Sequence, residues 1–246
     1  MNGLTQFTVK RGHDGFGSQM LATLIGYLLS VQNNIKFYYS PIECIKLCYV
    51  GEQNKEIKQL NAAIDSMMAN LNISQAKSDI PVIIKPYHLC NASTLKGVGL
   101  TNLKKCWKEP SPKKDRKTLS IHIRMGDDVE VDNRVRCQPI SYYNSLIRRC
   151  LQAFPTYDIQ VISWRQPNID LDLKSKITMY SSTDGGDIAD HYNLMIHSDL
   201  LIVASSSFSI SAGLLNKGHV LCDKNIIGIS APYPKEWNDN FRSVLG

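Results

Sequence analysis

The sequence lacks the short motifs that most directly indicate a zinc ribbon or an ATP-binding loop. None of its cysteines forms a CxxC pair, and their number is odd, which argues against a zinc ribbon. No GxxxxGK pattern followed by Ser or Thr is present, so ATP chemistry of the Walker type is not predicted. We therefore expect reduced, mostly buried thiols at positions 44, 48, 90, 106, 137, 150 and 222.

Long apolar segments are also missing. The longest apolar run, 21–31, is too short and too mixed in character to span a bilayer. The opening residues, MNGLTQFTVK, contain no apolar signal core, so the acceptor triplets at Asn72 and Asn91 have no predicted secretory route. The sequence favours a soluble, cytoplasmic protein with no membrane span.

The composition is that of an ordinary globular protein. The chain has 246 residues, of which 43% are hydrophobic, and this is enough to bury a core without disulfide bonds. The formal net charge of +6 is spread along the chain rather than concentrated in one tail. It indicates an anionic partner, and nucleic acid, a nucleotide diphosphate and an anionic surface all fit.

Alternating strand and helix patterns indicate an α/β protein with parallel sheets. A polar connector, KEPSPKKDRKT (108–118), separates two halves and predicts domains 1–112 and 113–246. We expect two doubly wound, Rossmann-like domains facing a cleft, with ligands beyond the carboxyl ends of the strands. The predicted strands are 6–10, 35–40, 80–86, 119–125, 158–164, 176–181, 199–205 and 219–222. The predicted helices begin at 17 and cover 54–71, 139–154, 188–197 and 208–216, the last closed by Gly218.

Three stretches at predicted strand ends are candidates for ligand binding. The first contains Gly15, Phe16 and Gly17, between a strand and an apolar helix whose first N–H groups are unpaired. These glycines would let a phosphate or sugar oxygen reach the helix N-terminus. An ordinary tight turn is the alternative, and the pattern alone does not decide between them.

The second stretch is SIHIRMGDD, in which His122 and Arg124 share one face of a strand. An arginine at the end of an apolar strand is unusual, and its guanidinium can form two hydrogen bonds with phosphate oxygens. Asp127 and Asp128 follow Gly126, so a salt bridge within this stretch is the alternative. We favour a ligand contact.

The third stretch carries Ser205, Ser206 and Ser207 from a buried strand into a helix. Hydroxyls and helix N–H groups together form an uncharged anion cradle. One serine would suffice as a helix cap, but three consecutive serines exceed that need. Together with Arg124, this turn predicts a diphosphate site that stabilises a departing nucleotide diphosphate.

No DxD triplet accompanies these stretches. The nearest acidic groups, Asp127-Asp128 and Asp184-Gly-Gly-Asp187, are less regular than the acidic pairs that hold a metal-bound sugar nucleotide. The sequence therefore predicts no essential metal and no cofactor other than the donor substrate.

The ordered trio of stretches resembles the fucosyltransferase superfamily, and most nearly the α-1,2-fucosyltransferases. That family has a GGLGNQ-like turn, where this chain has DGFGSQ (14–19). It has an HxRxGD strand end, where this chain has His122-Ile-Arg124-Met-Gly126-Asp127. It also has an acidic residue, Leu-Met, an apolar strand and a serine-rich turn, where this chain has DHYNLMIHSDLLIVASSSFS (190–209).

The resemblance implies a GT-B-like glycosyltransferase that inverts the sugar carbon without a metal. It implies transfer of L-fucose from GDP-fucose to a hydroxyl of a glycan acceptor, with 1–112 as the acceptor-side domain and 113–246 as the nucleotide-sugar domain. By matching position, Arg124 would hold the donor diphosphate with His122 beside it. Ser206 and Ser207 would help to bind the phosphates, and Gly15 and Gly17 would line the cleft.

Two departures from the family leave the donor open. Ser18 stands where the family usually has Asn, and Trp164-Arg165 replaces an Asp-Asp pair that can help to recognise guanine. A tryptophan can stack on any base, so a UDP-sugar such as UDP-xylose is an alternative donor. A nucleic-acid binder ranks last, because no nucleic-acid motif is present.

An inverting transfer also needs a base for the acceptor proton. We favour Asp14, beside the glycine turn, over His13 and Asp127. His191, His197, Asp187 and Asp190 are interpreted as groups on a helix surface. A relative that binds a nucleotide or glycan without catalysis remains a rival to the enzyme.

Overall fold

The computed structural model describes the following residues of the chain: 3–9, 15–42, 53–84, 86–90, 94–109, 112, 115–124, 137–182, 187–223 and 233–245. They divide into two units, one of residues 1–110 with 232–234, the other of residues 111–231 with 235–246. Of the sequence predictions, those on His13, Asp14, Gly126 to Asp128, Asp184 and Asn91 fall outside the described residues.

The first unit contains a parallel sheet with the strand order β2-β1-β3. The strands are β1 (Gln6–Val9), β2 (Lys36–Tyr38) and β3 (Val82–Ile83). The helices are α1 (Phe16–Asn33), α2 (Gln53–Asn70) and α3 (Val98–Cys106), and a 3-10 turn covers Pro86–Leu89. The strand predicted over 80–86 is therefore only two residues long, and Pro86 opens a turn instead of closing the strand.

Helix α1 lies against the sheet at Gly26. A Cβ atom on Gly26 would come closer than 3.0 Å to the ring of Phe37, so only glycine allows this approach. On another side α1 meets α3, where a Cβ atom on Gly99 would lie 3.1 Å from Leu28 Cδ2. Because α1 is buried on more than one side, it is apolar almost throughout and not only on the face that contacts the sheet.

The second unit contains five parallel strands in the order β6-β5-β4-β7-β8. The strands are β4 (Thr118–Ile123), β5 (Asp158–Ser163), β6 (Thr178–Ser181), β7 (Leu200–Val203) and β8 (His219–Cys222). The helices are α4 (Ile140–Ala153), α5 (Leu171–Lys174), α6 (Ile188–His197), α7 (Ser207–Leu215) and α8 (Lys235–Leu245). The predicted α/β class with parallel pairing is confirmed for the described strands.

The central strand β4 separates two layers of helices. Leu119, Ile121 and Ile123 join one apolar cluster with side chains of α4, α5 and α8. Since side chains alternate along a strand, Ser120 and His122 point to the opposite face, where His122 meets Phe208 of α7. A buried strand with helices on both faces is typical of a doubly wound sheet.

The end of α7 differs from the prediction. The helix ends at Leu215, and Asn216 caps it with an ordinary φ of −62°. The Asn216 amide donates to the carbonyl oxygens of Met195 (2.8 Å) and Ser198 (2.9 Å). Gly218 is needed for another reason, because a Cβ atom there would collide with the Asp199 carbonyl.

Candidate functional site

The carboxyl edge of the second unit's sheet contains a topological switch point. From β4 the chain proceeds outward through β5 to β6, then returns to the other side of β4 for β7 and β8. Neighbouring strands whose connections leave in opposite directions open a crevice at their carboxyl ends, where doubly wound sheets bind ligands. In this unit the crevice lies beyond β4 and β7.

Arg124 and the serine turn flank this switch point. Arg124 is the first residue after β4, and Ser205 is the second residue after β7. The last paired position of the two strands is Ile121↔Ile202, so Arg124 and Ser205 both follow shortly after it at the same edge of the sheet. The structure therefore brings two of the predicted anion-binding stretches to one edge of the sheet, although Arg124 and Ser205 are 81 positions apart in the sequence.

His122 lies two residues before Arg124, on the same face of the strand. Its side chain is buried, and its ring centroid is 5.8 Å from that of Phe208 in the first turn of α7. Burial is the main cause that lowers the His122 pKa to about 3, and the charge of Arg124 and the nearby His191 contribute to this shift. His122 is therefore a neutral imidazole, and Nδ1 has no hydrogen-bond partner among the described residues.

The serine turn is partly a helix cap. Ser206 caps α7, and its hydroxyl accepts a hydrogen bond from the Phe208 amide at 3.3 Å. Ser209, one turn into the helix, accepts a hydrogen bond from the Ala204 amide at 3.2 Å. These bonds fix the turn, and α7 begins there, directly after β7, with the unpaired N–H groups that a helix start provides. The capping alternative therefore holds for Ser206. Ser205 is buried and Ser207 is half-buried, and their contact with a ligand stays a prediction.

The strand register sets further polar residues in the same row. Ile123 pairs with Ser163 and Ser163 pairs with Ser181. Continuing this register by one residue places Arg124, Trp164 and Ser182 side by side at the sheet edge. Trp164 is partly exposed, and Ser182 Oγ lies 3.4 Å from His191 Nδ1.

His191 differs from its predicted position. The sequence places it on a helix surface, but it is 4% exposed and packs edge-on against Tyr180. Burial lowers the His191 pKa, while Asp190 and Asp187 oppose the shift. Asp187 caps α6 by accepting from the Ala189 amide at 2.6 Å, and Asp190 is exposed as predicted. The apolar stretch around Leu194 and Met195 was the sequence signal that α6 is buried on one side.

Two residues near this edge were not predicted. The Tyr142 hydroxyl donates to Asp223 Oδ2 at 2.8 Å, which ties the start of α4 to the end of β8. Burial and the Asp223 carboxylate raise the Tyr142 pKa. The neighbouring Tyr143 is buried, and burial raises its pKa to about 12, with the Arg124 backbone and charge acting against the shift. Two consecutive tyrosines at a helix start were the available signal.

The first predicted stretch belongs to the other unit. Gly15 precedes α1 with φ −63° and ψ 164°, a conformation open to any residue, and a Cβ atom there would meet nothing within 4 Å. Neither backbone strain nor crowding among the described residues accounts for glycine at this position. Phe16 and Gly17 are buried at the start of α1. The Ser18 carbonyl accepts a hydrogen bond from the Tyr87 hydroxyl at 2.8 Å.

The described residues also bear on metal binding, membrane spanning and the state of the cysteines. Within the described ranges, no group of three or more His, Cys, Asp or Glu side chains is placed to hold a metal ion. The predicted independence from metal remains a prediction. Among the same residues, no helix has the length and apolarity needed to cross a bilayer. The cysteines at 90, 106, 137, 150 and 222 are free thiols, but only Cys150 and Cys222 are buried, so the predicted burial is wrong for the other three. The predictions on Cys44 and Cys48 fall outside the described residues.

Comparisons with known proteins give distant structural similarities only. No protein-family model matches the chain, and no curated protein matches it significantly. The dodecameric iron-containing heptosyltransferase TibC, in complex with ADP-D-β-D-heptose, is similar at a TM-score of 0.46 and 10% identity, over 94% of this chain and 61% of that chain. TibC from enterotoxigenic E. coli H10407 is similar at a TM-score of 0.44 and 7% identity, over 88% of this chain and 57% of that chain.

The NodZ α-1,6-fucosyltransferase soaked with GDP-fucose is similar at a TM-score of 0.41 and 10% identity, over 92% of this chain and 99% of that chain. This chain thus spans about three fifths of the length of TibC. At TM-scores below 0.5, these similarities carry no conclusion about the chain.

Proposed function

We propose that this chain is a glycosyltransferase that moves a sugar from a nucleotide-sugar donor to a hydroxyl of a glycan acceptor. The observation that carries the proposal is the placement of Arg124 and the turn Ser205–Ser207 at the ends of adjacent strands, on either side of a switch point. A guanidinium, hydroxyls and helix N–H groups suit the oxygens of a diphosphate.

The proposed chemistry places this cluster at the leaving group. When the bond between the sugar carbon and the phosphate oxygen breaks, negative charge develops on the nucleoside diphosphate. Arg124 and the serine turn stabilise that charge, which lowers the barrier to transfer. The acceptor hydroxyl attacks from the opposite side and inverts the carbon, and Asp14 takes its proton. No metal is required, because the cation is supplied by Arg124.

The proposed architecture is GT-B-like, with an acceptor-side domain (1–112) and a nucleotide-sugar domain (113–246). GDP-fucose is the first donor to test, because the three motifs occur in the order seen in fucosyltransferases. UDP-xylose is the alternative, since Trp164-Arg165 stands where that family often has two aspartates.

A panel of donors tests the proposal directly. GDP, UDP, GDP-fucose and UDP-xylose are added to the full chain, and the melting temperature and sugar transfer are measured. A specific donor raises the melting temperature by mass action. We expect Arg124→Ala to remove this rise and to lower transfer at least about 100-fold.

Arg116→Ala is the matched control, because Arg116 lies at the opposite end of β4 and pairs with Asp158 at 2.9 Å. It should bind and react as the wild type does. Full transfer by a folded Arg124→Ala protein would refute the proposal. Donor binding without transfer under any condition would instead identify a binding relative without catalysis.

A further inference from the structure

The end of β5 is the position in this sheet where a nucleoside would lie. In doubly wound sheets the first strand ends at the pyrophosphate, and the end of the second strand contacts the nucleoside. Within the second unit β4 is the first strand and β5 the second. Trp164 is the first residue after β5, and the strand register sets it next to Arg124.

The turn that carries Trp164 is held in place on both sides. The Ser163 hydroxyl donates to the Arg165 carbonyl at 2.6 Å, which closes the turn around Trp164. Further along, the Ile169 amide donates to the Pro167 carbonyl at 2.9 Å, and both residues are buried. An indole on an anchored turn loses little conformational entropy when a flat ligand stacks on it.

The acidic residues that follow β5 are already engaged elsewhere. Asp170 accepts hydrogen bonds from Asn144 at 2.7 Å and from Arg148 at 2.8 Å, and Asp172 accepts from Arg148 at 2.9 Å. These contacts direct both carboxylates to α4. Guanine presents N–H donors that a carboxylate would bind, and the described residues after β5 offer it an indole and a guanidinium instead.

We infer that the base of the donor stacks on Trp164 and that this subsite does not select guanine. The inference rests on the proposed diphosphate site for the position of the phosphates. Base stacking on an aromatic side chain is tolerant of sequence because every base has a π-face. The subsite therefore accepts nucleoside diphosphates with a purine or a pyrimidine base.

Substitution of Trp164 separates stacking from phosphate binding. Trp164→Leu should lower the affinities for GDP and UDP by similar factors, about 5- to 100-fold each. The affinity for inorganic pyrophosphate should stay within about twofold of the wild-type value. Trp164→Phe keeps an aromatic face, so its affinity for both nucleotides should stay within about fivefold of the wild-type value. Affinity is measured by calorimetry, and the melting temperature of each variant verifies folding.

Tyr157→Leu is the matched control, because it removes an aromatic ring at the opposite end of β5, where Tyr157 packs against Phe154. It should leave nucleotide affinity unchanged. Tryptophan fluorescence gives a second readout that does not depend on catalysis. The other two tryptophans, Trp107 and Trp237, are buried, so nucleotide quenching should disappear in Trp164→Phe.

The outcomes distinguish this inference from the proposed function. If wild-type protein binds nucleotides and Trp164→Leu binds them equally well, the stacking inference is wrong while the diphosphate site stands. A preference for GDP over UDP above about 100-fold would also overturn it. If neither pyrophosphate nor any nucleotide binds the wild type, the proposed function itself fails.

Discussion

His122 shows how a single residue relates stability to the proposed site. A buried imidazole whose Nδ1 atom has no hydrogen-bond partner among the described residues, near the end of the central strand, costs stability. An apolar side chain would fill the same place next to Phe208 without that cost. Polar groups that break the local rule in this way concentrate where a protein binds ligands.

The lowered His122 pKa predicts a pH dependence of stability. The unfolded chain binds a proton near pH 6.5, whereas the native His122 stays neutral down to about pH 3. The contribution of neutral His122 to the free energy of unfolding is therefore complete above pH 6.5, and it is lost progressively as the pH falls toward 3. Between pH 7 and pH 5, His122 alone should remove about 2 kcal/mol from the free energy of unfolding.

Urea denaturation at pH 7 and pH 5 measures this loss. His122→Gln cannot take up a proton, so its loss over the same interval should be smaller by about that amount. A smaller loss from His191, whose pKa is also lowered, would remain in both proteins. Equal losses in the wild type and His122→Gln would contradict the assignment of a neutral, buried His122.

At the scale of single elements, the start of α7 combines a helix cap with the proposed anion site. Ser206 caps the helix through the Phe208 amide, and its own side chain is buried at the turn. Asparagine and aspartate cap helices about as well as serine does, and they are nearly equal in size. The pair therefore differs mainly in charge.

Ser206→Asn and Ser206→Asp separate these two roles. Both variants should retain the cap, and their free energies of unfolding should agree within about 1 kcal/mol. The aspartate should weaken pyrophosphate binding at least about tenfold relative to the asparagine, because its charge repels the anion. Calorimetry and chemical denaturation provide the two measurements. Equal affinities in the two variants would show that no anion binds at this turn.

The elements that the sequence did not predict have physical reasons for it. Helix α3 (Val98–Cys106) begins after Gly97, contains Gly99 and carries exposed Val98, so its apolar pattern is weak. Helix α5 (Leu171–Lys174) is only one turn long. Helix α8 (Lys235–Leu245) buries just Trp237, Phe241 and Leu245, and its other residues are polar or face solvent. These three residues stand four positions apart, a helical spacing too sparse to have predicted the helix.

At the scale of the whole molecule, the described residues form two units with separate sheets. The large apolar cluster of the second unit draws on β4, β5, β7, β8, α4, α5 and α8. In the first unit α1 packs on β1 and β2 through Gly26, whose neighbours are Phe37 and Val9. Local stability can therefore differ between the units.

Gly26→Ala tests this separation. The added methyl group would overlap the ring of Phe37, and overpacking of this kind costs about 1–3 kcal/mol. We expect faster hydrogen exchange in peptides covering α1 and β2, and unchanged exchange in peptides covering β4 and β7. Mass spectrometry of the full chain resolves the two sets of peptides.

Gly99→Ala is the control for this experiment. A methyl group there meets Leu28 Cδ2 at 3.1 Å and Val31 side-chain atoms at 3.5 Å, and these side chains can adjust. It should change exchange little in either unit. An equal rise in exchange across β4 and β7 in Gly26→Ala would show that the units open together.

The sequence by itself determined the class of the fold and the identity of the anion-binding candidates. The spacing of apolar residues that distinguishes strands from helices is a local pattern, so the alternation of the two along the chain predicted the parallel α/β organisation. Arg124 stood out because a buried strand rarely ends in a guanidinium. The three serines were likewise visible as more than one cap requires.

Only the tertiary structure decided which of these residues meet. Strand order is not encoded in any local pattern, and it is the order β6-β5-β4-β7-β8 that brings Arg124, Ser205 and Trp164 to the ends of neighbouring strands at one sheet edge. Burial likewise depends on packing between distant segments, which is why His191 proved to be internal and Gly218 proved to face a carbonyl instead of ending a helix. Long-range contacts set both outcomes, because a side chain's pKa and its access to a ligand depend on neighbours far away in the chain.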